Sequence, residues 1–517
     1  MRWKRWRMTN SKKAMSVKSW VSELAKYRFL LKPTLIFAAI FAVGLLALIR
    51  ADFNYYDDYG RANEGYQYWE QFGRYVSNWG ATFLHTNQFL AEISPLTQLV
   101  ACLIMGLAST IAVYAITGVK EFKVRHYLAG IPIGLSPYFM ECYAYKFDAP
   151  YMALSVLASI LPFLFWDCKH KAVFPVVAFG SALVMCMTYQ AANGIFFVLL
   201  LLMELKSLLG SSEKLRKVIP KTLKSLLLRA LPYAAGMLCF RFLIMPSYDG
   251  GYAATTLPPL AELPQTVIGH LQFYAELIWS DFNMIWTILV GLVLVVFLIF
   301  LVVRAHCSKV LAAIAGLLFL LYVAVGSFGI YPALEAPLFS AHAMYGITVA
   351  FGFICIATVE LVQVKYATLL RLPVFLLAWC FFVYAFIYGN VLSRQQDYAN
   401  FRLGQTITAL NQDNILTDET KTVSVLNDPD FAPSIRSSIA RYPLLGRSVY
   451  KVYYGFDVWG TYKLLNYYDL GVEVLIGNDV TSPEDNPCYQ NDECEVIETY
   501  YDKIYYNDEA ILVEIKR

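Results

Sequence analysis

The sequence predicts a polytopic α-helical membrane protein of about eleven transmembrane helices, followed by a small α+β domain at its carboxyl end. Of its 517 residues, 58% are hydrophobic and 16% are charged, whereas soluble domains carry about 25% charged residues. The charge is divided unequally, because residues 1–390 hold 31 Lys and Arg against 19 Asp and Glu, and residues 391–517 hold 11 against 20. This composition excludes a disordered chain, a collagen-like fibre and a disulfide-rich miniprotein.

The transmembrane part is predicted from long apolar runs. A bilayer core about 30 Å thick is crossed by roughly 20 apolar residues in a helix, and helices satisfy their own backbone hydrogen bonds in lipid. We therefore predict a transmembrane domain over residues 33–390. The candidate spans are 33–50, 95–118, 127–140, 150–166, 172–189, 195–209, 230–246, 284–303, 310–326, 343–363 and 372–390.

The connections between these runs alternate in charge and predict the orientation. Six basic segments hold 26 of the 31 basic residues of this part, namely 1–32, 119–126, 167–171, 205–229, 304–309 and 364–371. Lys and Arg are retained in the cytoplasm, so residues 1–32 are expected inside as a basic amino terminus, followed by a first helix that is retained rather than cleaved as a signal peptide. An odd number of spans then places the carboxyl terminus outside.

Residues 391–517 are predicted to form an acidic, extracytoplasmic α+β domain. A helix over 391–412 would leave the membrane, and alternating β-branched and Tyr-rich runs predict strands. These strand candidates are 421–426, 448–454, 471–476, 497–506 and 510–515. Cys488 and Cys494 lie in a polar, acidic loop, where an oxidising compartment favours a disulfide; a two-thiolate metal site would lack further ligands.

The first outward segment, residues 51–94, holds the densest set of ionisable groups. Asp57 and Asp58 are adjacent, so their mutual repulsion could raise the pKa of one of them and suit it to act as a general base. Arg61 lies one helical turn further and could pair with an acid or with a phosphate. The alternative is that the two acids only cap the helix that follows.

A second outward segment places Glu141, Tyr145, Lys146 and Asp148 within eight residues at a membrane edge. These side chains could bring a further acid and a cation to the same cavity as Asp57. A local ion pair between Lys146 and Asp148 is the alternative interpretation.

Four more polar residues lie near predicted outer ends of spans. The amides of Gln190 and Asn193 could bind a sugar, although capping of a helix end is an equal alternative. Arg241 is the one basic residue well inside a predicted span, where charges are costly and usually functional; the alternative is that its side chain reaches the surface. His342 lies at the outer mouth of the tenth span.

Several other classes of protein are not indicated. The sequence contains no phosphate-binding loop of the Walker type, no CxxC pair and no HExxH helix. It has no exposed basic patch of the kind that binds nucleic acid. We expect no required cofactor, although the three acids could hold a divalent cation.

Motifs that extend over about residues 30–410 resemble those of one family and occur in the same order. The stretch Tyr-Tyr-Asp-Asp-Tyr-Gly-Arg at 55–61 is similar to the opening of the bacterial serotype-converting O-antigen glucosyltransferases, the type II glucosyltransferase family. The other segments that resemble this family are 93–98, 145–150, 189–193, 339–342, 388–390 and 395–398. His342 departs from the pattern, because a basic residue, often Arg, is expected there, and the chain beyond about residue 412 has no counterpart.

The resemblance implies a GT-C-like membrane glycosyltransferase of the bacterial inner membrane. Its donor would be a polyprenyl-phosphate sugar, typically undecaprenyl-phosphate glucose, and its acceptor a lipid-linked O-antigen or a similar glycan on the extracytoplasmic face. Membrane lipid would surround it, and a donor synthase and a flippase would be its candidate partners. Nucleic acid is not expected as a partner.

Roles for the candidate residues follow from the resemblance together with their chemistry. Asp57 or Asp58 would be the general base of an inverting transfer, with sugar addition through an oxocarbenium-like transition state. The candidates for binding the donor phosphate are Arg61, Lys146, Arg241 and His342. The candidates for binding the acceptor or the sugar are Glu141, Tyr145, Asp148, Gln190 and Asn193.

Three other functions remain open from the sequence. A glycolipid flippase or transporter would also have many spans, but it predicts related helical halves, and no convincing repeat is present. An O-antigen polymerase or ligase would be built around a large later outward loop; residues 247–282 form the only such loop, and it lacks an Arg cluster. A membrane anchor for the acidic tail would not need eleven spans.

Overall fold

The computed structural model describes residues 26–212, 215–246, 256–412, 415, 422–427, 430–451, 486–489 and 494–516. These residues are mostly helical. The α-helices are α1 (Leu31–Gly44), α2 (Leu46–Ala51), α3 (Asp58–Glu64), α4 (Tyr75–His85), α5 (Leu96–Thr117), α6 (Val124–Gly134), α7 (Phe139–Ala144), α8 (Ala149–Ile160), α9 (Val173–Cys186), α10 (Ile195–Gly210), α11 (Leu215–Cys239), α12 (Leu263–Asp281), α13 (Met284–Arg304), α14 (Lys309–Gly326), α15 (Ala341–Leu361), α16 (Ala367–Gln412), α17 (Arg436–Arg441) and α18 (Leu445–Ser448).

Short turns of other helical types extend or connect these helices. The 3₁₀ turns are Arg28–Leu30, Trp69–Phe72, Leu161–Phe165, Gln190–Ala192, Tyr331–Ala333 and Pro433–Ile435, and a π turn covers Phe240–Ile244.

Seven helical stretches within the described residues are long and apolar enough to cross a membrane. They are Leu96–Thr117, Gln190–Gly210, Arg216–Ile244, Met284–Arg304, Lys309–Gly326, Ala341–Leu361 and Ala367–Gln412. This confirms a mostly helical protein with seven helices of membrane-crossing length and composition, whereas the number of eleven spans stays a prediction.

The other four predicted spans coincide with shorter or interrupted helices. The first is divided into α1 and α2 at Leu45. The span predicted over 127–140 contains α6, which has only 11 residues and includes Pro132. Proline cannot donate a helix hydrogen bond and disturbs the preceding turn, and Pro162 likewise marks the change from α8 to a 3₁₀ turn.

Helix α13 has one exposed apolar face and one face that is buried in the bundle. Ile285, Ile288, Leu292, Val295 and Ile299 recur every three or four residues and are all between 46% and 64% exposed. The opposite face of the same helix is buried in the bundle. Because soluble proteins rarely leave such a continuous apolar stripe in water, this stripe indicates contact with lipid.

The connections between the helices meet at two ends of the bundle. At the basic end, Lys206 donates to the carbonyl of Ile116 at 2.7 Å, and His306 donates its backbone N–H to Leu209 at 2.8 Å. We use "basic end" for the connections after α5, α10, α13 and α15. At the other end, the segments 52–58 and 146–148 lie against each other. We call this the site end, because these segments hold Asp57, Asp58 and Lys146. These contacts bring connections together at each end, and the orientation of the two ends across a membrane stays a prediction.

The last long helix connects the bundle to a small sheet. Helix α16 has 46 residues, so at about 1.5 Å per residue it extends well beyond a bilayer core of about 30 Å. Its final turns pack Leu403 and Leu410 against Val425, Ile511 and Val513 of the sheet.

The sheet contains β1 (Thr422–Leu426), β2 (Glu495–Glu498), β3 (Asp502–Tyr506) and β4 (Ala510–Ile515), in the order β1-β4-β3-β2. Strand β1 is parallel to β4, and the other pairs are antiparallel. The strands predicted at 421–426 and 510–515 are confirmed over Thr422–Leu426 and Ala510–Ile515, and the run 497–506 is part of a hairpin of β2 and β3. The run 471–476 lies outside the described residues.

A separate part of the tail, residues 430–451, packs into the core of the helical bundle rather than on the sheet. Ile435, Leu444, Leu445 and Tyr450 are buried in that core. The strand predicted over 448–454 is wrong at its start, because Ser448 ends helix α18 and packing against the bundle overrides the β-propensity of the run. The remainder of that run, beyond residue 451, lies outside the described residues.

Cys488 and Cys494 form a disulfide in the structure, with Cα atoms 5.8 Å apart. Both are buried against Ala510 and Leu512 of β4. The other eight of the ten cysteines, all within described segments, are unpaired.

We predict that alkylation of the denatured protein without reductant modifies eight cysteines, and that reduction exposes two more. Peptide mass spectrometry would locate the two protected residues. Free alkylation of both Cys488 and Cys494 before reduction would contradict the disulfide.

Candidate active site

The segment that follows α2 turns sharply before α3. Asp52 follows α2 with φ 48°, and Tyr56 has φ 44°, so two residues with side chains occupy the left-handed region. Such conformations cost roughly 1–3 kcal/mol each and are concentrated at functional sites. The turn at Tyr56 places Asp57 and Asp58 at the start of α3.

Asp57 is the accessible member of the acid pair. Its side chain is 42% exposed, and one carboxylate oxygen lies 3.3 Å from Arg61 Nη2. Although Asp57 occupies the position before α3, its side chain makes no capping hydrogen bond. The interpretation that this residue merely caps a helix is therefore not supported by the geometry.

Asp58 is fully buried and joins the segment 52–58 to the segment 146–148. It accepts backbone N–H groups from Tyr55 at 3.0 Å, Lys146 at 3.0 Å and Phe147 at 3.3 Å. Burial raises the pKa of Asp58 to about 7, against the lowering effect of these amides and of the cations Lys146 and Arg61. Its surroundings are those of a structural anchor.

Arg61 is buried between two acids and an indole ring. It pairs with Asp148 as well as with Asp57, and its guanidinium lies 4.4 Å from the centre of the Trp69 ring. Trp69 Nε1 donates to the other oxygen of Asp148 at 2.6 Å. One nitrogen of Arg61, Nε, is buried without a hydrogen-bond partner among the described residues.

Lys146 is also paired across the two segments. Its ammonium lies 2.6 Å from Asp52 Oδ1, 2.8 Å from Asn54 Oδ1 and 3.4 Å from Glu92 Oε2. Burial lowers the pKa of Lys146, but the neighbouring carboxylates outweigh burial and raise it. The local Lys146–Asp148 ion pair considered from the sequence is therefore wrong, because each residue finds a partner in the first outward segment.

Glu141 and His342 form a second buried pair. His342 Nδ1 lies 2.8 Å from Glu141 Oε1, and the His342 backbone N–H donates to Oε2 at 2.9 Å. The other ring nitrogen of His342 lies 3.1 Å from Ser340 Oγ. The Tyr55 hydroxyl lies 3.1 Å from Glu141 Oε1. Glu141 thus fixes the orientation of the imidazole at the start of α15.

Aromatic rings connect the two groups of charges. The ring of Tyr145 lies 4.8 Å from that of Tyr55 and 5.3 Å from that of His342, measured between ring centres. Tyr56, next to Asp57, lies 4.1 Å from Tyr450. His342 and Tyr56, the residue before Asp57, therefore border one aromatic layer.

The amides of Gln190 and Asn193 are used within the protein. Gln190 Oε1 accepts from Arg74 Nε at 3.1 Å, and its amide nitrogen donates to the carbonyl of Phe72 at 3.0 Å. Asn193 donates to the carbonyl of Gln190 at 2.6 Å and accepts the N–H of Ile330 at 2.8 Å. These contacts favour the structural alternative for both residues over direct sugar binding.

Arg241 lies closer to a helix end than the sequence suggests. It is exposed, in the π turn Phe240–Ile244, three residues before that span ends. The neighbouring Phe240 packs near Gly73, so this turn reaches the site end of the bundle. Arg241 therefore lies within a candidate span, as predicted, but near its end, which agrees with the alternative that its side chain reaches the surface.

A third charged group, beside that of Arg61 and that of Glu141 and His342, was not predicted from the sequence. Arg447 binds Asp281 through two hydrogen bonds, of 2.9 Å and 2.6 Å, and donates to the carbonyl of Phe339 at 2.8 Å. Tyr138 donates to the same carboxylate at 2.9 Å. The next residue, Ser448, accepts from Tyr55 at 2.8 Å, which joins this group to Glu141.

An apolar cavity of about 170 Å³ lies beside this third group, among helices α12 to α16. Its lining includes Ile278, Phe282 and Phe381, and Phe282 follows Asp281 directly. The cavity thus extends from the membrane region toward the charged site end. No group of three His, Cys, Asp or Glu among the described residues is arranged to hold a metal ion.

A bundle of apolar helices that carries paired acids, cations and tyrosines at one end is typical of an enzyme embedded in a membrane. Residues 46–357 match the family model described as Glucosyl transferase GtrII. The chain belongs to this family, the serotype-converting glucosyltransferases, and the family implies glucosyltransferase activity. No curated protein and no solved structure was found to match the chain.

Substitution of Asp57 is expected to lower turnover, whereas substitution of Asp58 is expected to lower stability. Asp57→Asn should leave the fold intact, because its side chain is exposed, and should lower turnover about 10²–10⁴-fold if it removes a general base. Asp58→Asn should lower the melting temperature, since an amide cannot accept all three backbone N–H groups and an unsatisfied buried donor costs about 1–3 kcal/mol.

Membrane level, thermal melting in detergent and sugar transfer should be measured for both variants. Normal transfer by Asp57→Asn would remove it as the base. A normal melting temperature for Asp58→Asn would contradict its role as an anchor.

Arg447→Met is predicted to destabilise the protein by about 2 kcal/mol, because it leaves the buried Asp281 carboxylate without its cation. The predicted loss of stability is smaller than that for a fully buried ion pair, because the Arg447 side chain is 26% exposed. Arg436→Met is the matched control, since its ion pair with Asp430 is exposed. Equal melting temperatures for the two variants would contradict the prediction.

Proposed function

We propose that this protein transfers glucose from a polyprenyl-phosphate donor to a lipid-linked O-antigen, or another cell-surface glycan, outside the bacterial inner membrane. Membership of the glucosyltransferase family supports the sugar. The observation that carries the proposal is the half-exposed carboxylate of Asp57 beside the buried guanidinium of Arg61. This pair supplies a proton acceptor and a cation at one place.

Asp57 rather than Asp58 is assigned as the base. A general base must reach the hydroxyl that it deprotonates, and only Asp57 of the two has an accessible carboxylate. Asp58 already accepts three backbone N–H groups. Its contribution is to hold Asp57 in position.

In the proposed reaction, Asp57 takes the proton from an acceptor hydroxyl while that oxygen bonds to the anomeric carbon of the donor. The bond between the anomeric carbon and the phosphate oxygen breaks, and the polyprenyl phosphate departs with the electron pair. Attack opposite the phosphate inverts the anomeric centre. Cations stabilise the charge that grows on the leaving phosphate.

Arg61 is the leading candidate for that stabilisation. Its guanidinium lies beside the half-exposed carboxylate of Asp57, so a donor whose anomeric carbon faces Asp57 brings its phosphate toward this cation. His342 is the second candidate, because Glu141 orients its ring toward Ser340. Lys146 and Arg241 are weaker candidates, the first because it is held by Asp52, Asn54 and Glu92.

For the acceptor side, Tyr145 and Tyr56 offer aromatic faces between Asp57 and His342. Glu141 and Asp148 are proposed to act by positioning His342 and Arg61, respectively. The apolar cavity beside Asp281 is proposed to receive part of the polyprenyl chain, since its walls are hydrocarbon.

The proposed orientation puts the basic end in the cytoplasm and the site end outside. The clustering of Lys and Arg at one end supports it through the positive-inside rule. The lipid carrier then presents its sugar on the same side as Asp57, and the carboxyl-terminal sheet is outside. Family membership favours transfer over the flippase and polymerase alternatives.

Mass spectrometry of lipopolysaccharide from cells with and without this protein tests the activity. We expect a gain of one hexose per repeat unit, lost with Asp57→Asn and retained with the control Asp397→Asn, whose side chain is exposed on α16. An unchanged glycan in cells that make the protein and its donor would contradict the proposed transfer.

Topology is tested separately. Gln88→Cys should react with a membrane-impermeant maleimide on intact spheroplasts, because residue 88 is exposed in the first outward segment. The unsubstituted protein is the control. Labelling of Gln88→Cys only after the membrane is opened would place Asp57 in the cytosol and overturn the proposal.

A further inference from the structure

A second cavity, also of about 170 Å³, lies at the basic end of the bundle, opposite to Asp57. It is enclosed by helices α5, α10, α13 and α15. Its walls are mostly hydrocarbon and include Leu202, Phe297, Leu301 and Ala357. Since a water molecule occupies about 30 Å³ in the liquid, this space could take several methylene groups.

The rim of this cavity is charged. Lys206, Arg304 and His306 line it together with one acid, Glu360. Lys206 donates to the carbonyl of Ile116 at 2.7 Å. Arg304 donates through Nε to the carbonyl of Leu361 at 3.3 Å and through Nη2 to that of Gln363. Neither makes an ion pair within 4.0 Å among the described residues.

These carbonyl contacts do not neutralise the charges of Lys206 and Arg304, and they leave some of the N–H donors of both side chains available. A carbonyl oxygen orients a cation without neutralising it, and an ammonium has three N–H donors and a guanidinium five. Two positive charges therefore remain at the mouth of an apolar space, balanced by only one carboxylate on its lining.

Capping of helix ends explains part of this arrangement. Carbonyl groups at helix carboxyl ends attract cations, and Lys309 at the same end donates in this way to Val303 and Ala305. Lys309 does not line the cavity. Capping thus accounts for the hydrogen bonds of Lys206 and Arg304, but not for the apolar space that these two cations border.

We propose that this basic-end cavity binds one anionic phospholipid. Its phosphate would contact Lys206 and Arg304, and part of an acyl chain would enter the space lined by Leu202 and Phe297. Basic pockets between transmembrane helices on the cytoplasmic side suit anionic head groups, and the hydrocarbon walls exclude a purely polar ligand. The site is independent of sugar transfer.

Native mass spectrometry of the full-length protein in detergent tests the proposal, with phosphatidylglycerol and phosphatidylethanolamine as probes. One phosphatidylglycerol should bind in preference to phosphatidylethanolamine. Lys206→Gln combined with Arg304→Gln should weaken its binding about tenfold or more, because each cation near an anionic lipid contributes appreciably. Ala357→Leu, which fills the cavity without changing charge, should also weaken it.

The control combines Lys309→Gln with Lys365→Gln, which removes two charges from the same end but not from the cavity lining. Equal loss of binding in this control would show that the lipid is attracted by the overall positive charge of the basic end and not by the cavity. That result would overturn the proposal. Displacement of the lipid by inorganic phosphate alone, or unchanged binding in Ala357→Leu, would also overturn it. Sugar transfer should persist in the cavity variants, so failure here is distinguishable from failure of the proposed transferase.

Discussion

The site end depends on one buried carboxylate, that of Asp58. By accepting backbone N–H groups from Tyr55, Lys146 and Phe147, it joins two outward segments that lie about ninety residues apart in the sequence. A buried charge without such partners would be strongly unfavourable. Once these segments are joined, Arg61 can meet Asp148 and Lys146 can meet Asp52, so each buried cation has an acid from the opposite segment.

The same anchor separates two neighbouring acids by function. Asp57 and Asp58 are chemically identical, and they differ because the turn at Tyr56 directs one carboxylate inward and leaves the other half-exposed. The buried acid fixes the backbone, and the accessible acid keeps a carboxylate within reach of a ligand. The adjacent pair is therefore explained without assigning both residues to the chemistry.

The sequence predicted those features that depend on local composition. Apolar runs located the seven long helices, and β-branched runs located β1 and β4. Pairings between distant segments could not be predicted, because nothing near Arg447 indicates that Asp281, 166 residues away, is its partner. The partner of Lys146 could not be predicted for the same reason, because Asp52 is 94 residues away and only the fold brings it near.

The family match ends at residue 357, yet the site end is completed by residues beyond it. Tyr55 and Tyr388 both donate to the carbonyl of Ser448, at 2.8 Å and 3.0 Å, and Arg447 neutralises Asp281. Since Tyr55 also lies against Glu141, a shift of residues 447–448 would change the surroundings of the Glu141–His342 pair. The matched region supplies the acids of the site together with Arg61, Lys146 and His342, and the segment around Ser448 adds Arg447 and fixes how closely these groups pack.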